Sequence, residues 1–231
     1  MSSDSYVLTQ QEVEQRSFIS KVYGWMAAAL VITALVAMYV ASEPSIWMSI
    51  VQNRLLFYGL VIGEFLAVGY LVVAIRKMSA SMATAVFLGY SVLNGLTLSV
   101  IFVIYTASSI ASTFFVTAAT FGIMSVYGYT TKRDLTTIGN LAIMGLIGIV
   151  IASVVNIFLN SEAVYWITTY IGILVFVGLI AYDTQKLKMI NTGGIEGTEM
   201  ESKAAIMGAL ALYLDFINLF LMLMRLFGRR K

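Results

Sequence analysis

Three acidic residues lie inside long apolar stretches of this 231-residue chain: Glu64, Asp183 and Asp215. The other nine acids fall in polar tails or connections. A carboxylate removed from water is costly unless it is paired, protonated or used. Asp215 stands in Ala-Leu-Tyr-Leu-Asp-Phe-Ile-Asn-Leu-Phe-Leu, twelve residues after Lys203, or about 18 Å along a helix. Asn218, three residues on, shares its face. Asp215 is either a working acid or a protonated one bonded to a neighbouring helix. Asp183 closes an earlier apolar run in Ala-Tyr-Asp-Thr-Gln-Lys-Leu-Lys. It pairs either with Asp215 or, at an interface, with Lys186 or Lys188. Glu64 sits midway through the second apolar run, twelve residues before Arg76. It is a third ligand on an ion path or a helix–helix hydrogen bond.

No basic residue lies in the middle of an apolar run to neutralise these acids; Lys21 and Arg225 stand at run ends. Such an interior favours cations or protons. If Asp183 and Asp215 meet, the chemistry is definite: two carboxylates in one low-dielectric site cannot both ionise cheaply, so the pair holds one proton. Protonation closes a hydrogen bond between two helices; losing the proton leaves repulsion and a hard anionic site. Calcium suits that site, because it binds carboxylate and carbonyl oxygens. Helix arithmetic alone does not bring the two to one level. Pairing needs the sixth apolar helix to end deep or the seventh to begin well outside the lipid.

The composition removes other chemistries. With no His and no Cys, His-based catalytic pairs, thiolate metal sites and disulfides are excluded. No cofactor is expected. The net charge of +2 is too small to imply nucleic acid.

The elements that must position these acids are membrane helices. The chain is 60% hydrophobic and only 11% charged, against about 25% charged in a soluble domain. A crossing helix needs about 20 mainly apolar residues. Seven runs qualify, at about 18–41, 55–75, 80–104, 110–130, 139–159, 163–183 and 204–226. The expected fold is all-α, a polytopic seven-helix bundle forming one domain over 18–228. It carries an N-terminal tail, 1–17, and a basic C-terminal tail, 229–231. The longest polar connection runs from Thr184 to Lys203. Trp25, Trp47 and Trp166 lie near run ends, where amphipathic rings favour the membrane interface. Gly59/Gly63 and Ser91/Gly95 have the spacing that lets helix backbones approach closely.

Orientation follows the basic residues. With the N-terminus cytoplasmic, the inside carries Arg16, Lys21, Arg76, Lys77, Lys132, Arg133, Lys186, Lys188 and Lys203. The outside carries Arg54, Arg225, Arg229, Arg230 and Lys231. The connections agree with that placement and the basic tail does not. Either the tail is outside despite its charge, or the seventh run is re-entrant; seven full spans is the reading preferred.

Ala181-Tyr182-Asp183-Thr184-Gln185-Lys186, followed by Leu212-Tyr213-Leu214-Asp215-Phe216-Ile217-Asn218-Leu219-Phe220, closely resembles the Bax inhibitor-1 family, also called the transmembrane Bax inhibitor motif family. Tyr127-Gly128-Tyr129-Thr130-Thr131-Lys132-Arg133-Asp134-Leu135 is similar to that family's fourth-span exit, and Val22-Tyr23-Gly24-Trp25-Met26 to the start of its bacterial inner-membrane branch. The resemblance runs from about Phe18 to Gly228. It implies a last helix that is central and surrounded by the other six. It implies a pH-sensitive calcium leak in a bacterial plasma membrane, with Asp183 and Asp215 as the aspartate pair and Glu64 as the second-span acid. An Arg that latches the aspartates in some relatives falls on Arg76 only with a one-residue slip. The implied partners are calcium, protons and membrane lipid.

Three rivals remain. An intramembrane aspartyl protease also sets one Asp on each of two helices, but such enzymes resemble Gly-x-Gly-Asp where Leu212-Tyr213-Leu214-Asp215 stands. They also carry a Pro-Ala-Leu segment, and the only Pro here is Pro44. The reading is therefore a non-enzyme. A regulator that binds a membrane partner, such as a protease or a stress or death factor, could dock through Gly193-Gly194, Glu196, Glu199 and Glu201; a flexible connector is the plainer use of that segment. A proton-coupled cation antiporter would differ from a leak by transporting uphill.

Overall fold

The computed structural model describes residues 3–190 and 197–231, with side chains from residue 12 onward. Eight helices follow in order: α1 (Ser3–Ser42), α2 (Pro44–Gln52), α3 (Arg54–Ala74), α4 (Ala80–Ile104), α5 (Ala107–Thr130), α6 (Thr136–Leu159), α7 (Glu162–Lys188) and α8 (Glu199–Phe227). All but α2 are long and apolar enough to cross a membrane. The seven spans expected from the sequence are therefore present. Their exposed surfaces are oily: Leu55, Val73 and Phe158 are 85%, 82% and 81% exposed. Contiguous apolar surface on that scale needs lipid around it.

Local chemistry sets the breaks. Pro44 opens α2, and the preceding Glu43 is extended (φ −106°, ψ 97°), because proline clashes with a helical predecessor. Asn53 then caps α3, its Oδ1 accepting from the amides of Leu55 and Leu56 at 3.1 Å. Asp134 starts α6 by accepting from the Thr136 amide at 2.8 Å and the Thr136 hydroxyl at 2.6 Å. Those bonds hold its carboxyl below the usual carboxylate range. At α8 the Thr198 hydroxyl accepts from the Glu201 amide, while Glu201 accepts from the Gly197 amide. This resembles a capping box displaced by one residue, since the glutamate reaches the amide before the cap rather than the cap's own.

Three expectations change. The N-terminal tail 1–17 is not separate from the first span, because α1 is helical from Ser3. The residues between the first two spans form α2 rather than a loop. The connection from Thr184 to Lys203 is shorter than expected, because α7 runs on to Lys188 and α8 starts at Glu199. The last helix is continuous over 29 residues, about 43 Å, so it is no re-entrant segment. It is also the most buried: 72% of its most apolar stretch is covered, against 6% for α3 and 11% for α6.

The chain divides into two compact units, Met1–Ile104 with Ile190–Tyr213, and Tyr105–Met189 with Leu214–Lys231. In the first unit α1 packs on α4. A Cβ on Gly95 would lie 2.7 Å from Val36 Cβ and 2.8 Å from the Thr33 carbonyl. Only glycine allows that approach, so the Ser91/Gly95 pair is a packing seam. Gly59 has nothing within 4 Å of such a Cβ, and the Gly59/Gly63 pair is not a seam. The start of α8 joins this unit through the Lys21–Glu201 ion pair at 2.8 Å and through Tyr213, which meets Phe87 and Tyr90 edge-on.

In the second unit α7 packs on α5 and α6, and Phe216 of α8 meets Phe114 and Phe121 of α5 edge-on. The basic tail is held here: Arg230 bridges to Tyr105, the Thr106 amide donates to the Arg229 carbonyl at 3.0 Å, and the Arg229 amide donates to Ser109 Oγ at 2.9 Å.

Candidate functional site

Asp183 and Asp215 both belong to the second unit, and their carboxyl groups meet within hydrogen-bonding reach. The orientation of Asp183 follows from how the end of α7 is held. Gly128 of α5 takes the Ala181 backbone so closely that a Cβ there would collide with the Ala181 carbonyl. Thr184 bonds Ser125 Oγ at 3.5 Å. Gln185 donates to the Arg133 carbonyl at 2.8 Å and accepts from the Leu135 amide at 2.9 Å. Lys188 donates to the Tyr129 carbonyl at 2.7 Å. At 3.6 residues per turn, Ala181, Thr184, Gln185 and Lys188 cluster about 150° around the helix from Asp183. The side fastened to α5 and the α5–α6 connection is therefore the side opposite the acid.

The α8 partner face is set the same way. Met222 is seven residues after Asp215, two helical turns on and on the same face. Its Sδ lies 3.0 Å from the position a Cβ on Gly172 would take. Gly172 is eleven residues before Asp183, about three turns away, and shares the Asp183 face. Counted from that contact, Asp183 lies eleven residues and Asp215 seven residues toward the same end, so the contact puts the two acids on facing sides of α7 and α8 with levels about 6 Å apart. The level problem raised by the sequence is met by α8, which has already run sixteen residues from Glu199 before Asp215.

Asp215 is 5% exposed, and among the described residues its Oδ2 has no hydrogen-bond partner. Asp183 is half-buried, with the Lys186 charge nearby. A buried carboxylate oxygen left without a donor is expensive. One proton shared between the two carboxyls would provide an O–H donor where the described residues offer none. Among the described residues no group of three or more acidic side chains gathers into a metal-holding cluster. Any cation beside this pair would rely on carbonyl or water oxygens for the rest of its shell.

The other expected residues lie elsewhere. Asn218 donates to the Leu214 carbonyl of its own helix at 2.8 Å. Glu64 belongs to the first unit, where it accepts from Thr97 Oγ1 at 2.6 Å. That is the helix–helix hydrogen bond weighed for it above. Arg76 is also in the first unit, in the turn after α3, where it lines a cleft with Glu199 and Lys203. Glu199 and Glu201 are not in a free loop: both lie in the first turn of α8, where Glu199 Oε1 accepts from the Ala80 amide at 2.9 Å and Glu201 is buried against Lys21. Gly193, Gly194 and Glu196 lie outside the described residues.

A buried polar chain in the first unit was not singled out from the sequence. The Tyr213 hydroxyl is 2.6 Å from Thr33 Oγ1 and donates to Asn94 Oδ1 at 3.3 Å. Thr33 also donates to the Ser91 carbonyl at 2.9 Å. Asn94 and Thr33 are polar residues inside apolar runs, and that signal was legible.

A family model described as "Inhibitor of apoptosis-promoting Bax1" matches residues 15–231. The chain is 53% identical to the inner membrane protein YbhL of Escherichia coli K12, over 99% of this chain and 97% of that one. It is 43% identical to an uncharacterized protein of Borreliella burgdorferi, covering 97% and 98% of the two chains. It is 44% identical to uncharacterized protein RP147 of Rickettsia prowazekii, covering 94% and 91%.

Proposed function

Since the chain belongs to the Bax inhibitor-1 family, we propose that it is a pH-sensitive calcium leak of the bacterial inner membrane, gated by Asp183 and Asp215. The observation that carries this reading is the meeting of two carboxyls on two membrane helices, one of them buried with an unpartnered oxygen. With one proton between them, a hydrogen bond ties α7 to α8 and the path is shut. When the proton leaves, two like charges face each other in a low-dielectric site and push the helices apart. Calcium, as cargo, then passes the exposed carboxylates, which suit a hard cation. Flux therefore rises with pH. The protein performs no bond chemistry in this reading.

The test is calcium entry into dye-loaded proteoliposomes from about pH 6 to 8. Wild type, Asp183→Asn and Asp215→Asn are compared with protein-free vesicles. PH-dependent entry in wild type, lost in both variants, is the expected result. Entry equal to protein-free vesicles at every pH would remove the leak and leave binding of a membrane partner as the reading to pursue. Calcium movement against its own gradient, driven by an imposed pH gradient, would make the protein an antiporter.

A further inference from the structure

We propose that the first unit carries a binding site for the headgroup of an anionic phospholipid, formed by Arg76 and Lys203. The two cations line a cleft of about 700 Å³ whose wall is apolar: Ile75 after α3, and Met200 and Met207 on α8. Arg76 makes no hydrogen bond or ion pair among the described residues, and its side chain is exposed. Lys203 is held by Glu199 at 3.5 Å, a loose pair whose acid is 57% exposed. The lining is thus two positive charges against one negative, and the free donor is a guanidinium. A planar guanidinium offers paired donors to a phosphate's oxygens.

The surroundings select lipid over a soluble anion. The cleft lies where the apolar run of α3 ends, and Val72 and Val73, one turn before Ile75 and Arg76, are 51% and 82% exposed. That face meets acyl chains in a membrane. A phosphodiester at Arg76 and Lys203 would leave its own chains along Ile75, Met200 and Met207, dry in a way that water or free phosphate would not keep them. Basic clefts between membrane helices near the surface are known to suit anionic headgroups. This inference does not rest on the calcium reading.

The experiment is native mass spectrometry of the full chain in detergent, titrated with phosphatidylglycerol or phosphatidylcholine. Wild type is expected to retain phosphatidylglycerol preferentially. Each surface cation is worth about fivefold in such binding, so Arg76→Gln with Lys203→Gln should weaken it about thirtyfold. Arg76→Lys with Lys203→Arg should keep most of it. Lys77→Gln, one residue from Arg76 and off the cleft, should change nothing. Glu199→Gln gives a sign opposite to any folding defect: the amide oxygen still accepts from Ala80, the charge competing for Lys203 is gone, and lipid should bind more tightly. Equal retention by wild type and the double Gln variant would overturn the proposal. So would equal retention of the two lipids, or displacement by inorganic phosphate as readily as by phosphatidylglycerol.

Discussion

Substitutions at the aspartate pair separate charge from hydrogen bonding. Asp215→Asn cannot titrate, yet its amide can still donate to Asp183. The expected result is a low flux that no longer changes with pH. Asp215→Ala removes both the charge and the bond that ties α7 to α8, so flux at low pH should exceed wild type and be equally flat. Vesicle calcium assays of the two variants read this directly, and identical behaviour would sink the latch. Tyr213 supplies a second residue-scale test. Tyr213→Phe removes the hydroxyl that joins Thr33 and Asn94. Hydrogen bonds between membrane helices average about 0.6 kcal/mol and reach about 1.7. Thr33 keeps its bond to the Ser91 carbonyl, so a small fall in melting temperature is expected; no change would show that the Thr33–Tyr213–Asn94 contact is idle. Asp134 carries a pH signature in the connection between α5 and α6. Its carboxyl is held below the usual range by Thr136. That stabilisation is complete above the unfolded value near 3.8 and is lost as pH falls through the lower folded value. The melting difference between wild type and Asp134→Ala should therefore be flat near neutrality and shrink only in strong acid.

At the scale of elements, the site depends on how closely α7 lies on α5. Gly128→Ala would push a methyl into the Ala181 carbonyl, two residues before Asp183. The helices must part, and both melting temperature and pH-dependent flux should fall. Gly122→Ala, on the same helix with nothing within 4 Å, should be neutral or slightly stabilising, since alanine favours a helix interior over glycine by about 1 kcal/mol. If both behave alike, the Gly128 contact does not position the acid. The helices themselves were legible, because a membrane crossing has to write its length into the chain as an unbroken apolar run. What escaped had a different physical origin. The nine residues of α2 are too few to show a membrane period, and only Pro44 marks their start. The first turn of α8 reads as a polar connector until Glu201 is seen buried on Lys21. That hidden start is also why the meeting of Asp183 and Asp215 could not be derived by counting residues: the depth of Asp215 depends on where α8 begins. The motif named the two acids, while the packing of Met222 on Gly172 shows that their helix faces meet. Spacing alone did not separate the Ser91/Gly95 seam from Gly59/Gly63, because close approach needs a neighbour opposite the glycine.

At the scale of the whole molecule, seven spans are an odd number, so the two ends of the chain must lie on opposite sides of the membrane. The basic residues of the connections favour a cytoplasmic N-terminus, which is the orientation we propose; the C-terminal Arg229, Arg230 and Lys231 would then be outside. The positive-inside rule is a bias set mainly by short loops and is not absolute. The structure supplies a reason for the tail to be tolerated: its backbone is fastened to Thr106, Ser109 and Tyr105 at the start of α5 rather than left to find anionic lipid. The unbroken length of α8 argues in the same direction, because about 43 Å of helix exceeds the roughly 30 Å hydrocarbon core. Alkaline phosphatase, active only outside the cytoplasm, is therefore expected to work when fused after Lys231 and to be silent when fused in the Lys132–Asp134 connection. A fluorescent protein that matures only in the cytoplasm should give the reverse pattern. Phosphatase activity at the Lys132–Asp134 connection with silence at the tail would invert the whole molecule and put Asp183 near the outer surface. The proton sensed by the pair would then be the periplasmic one.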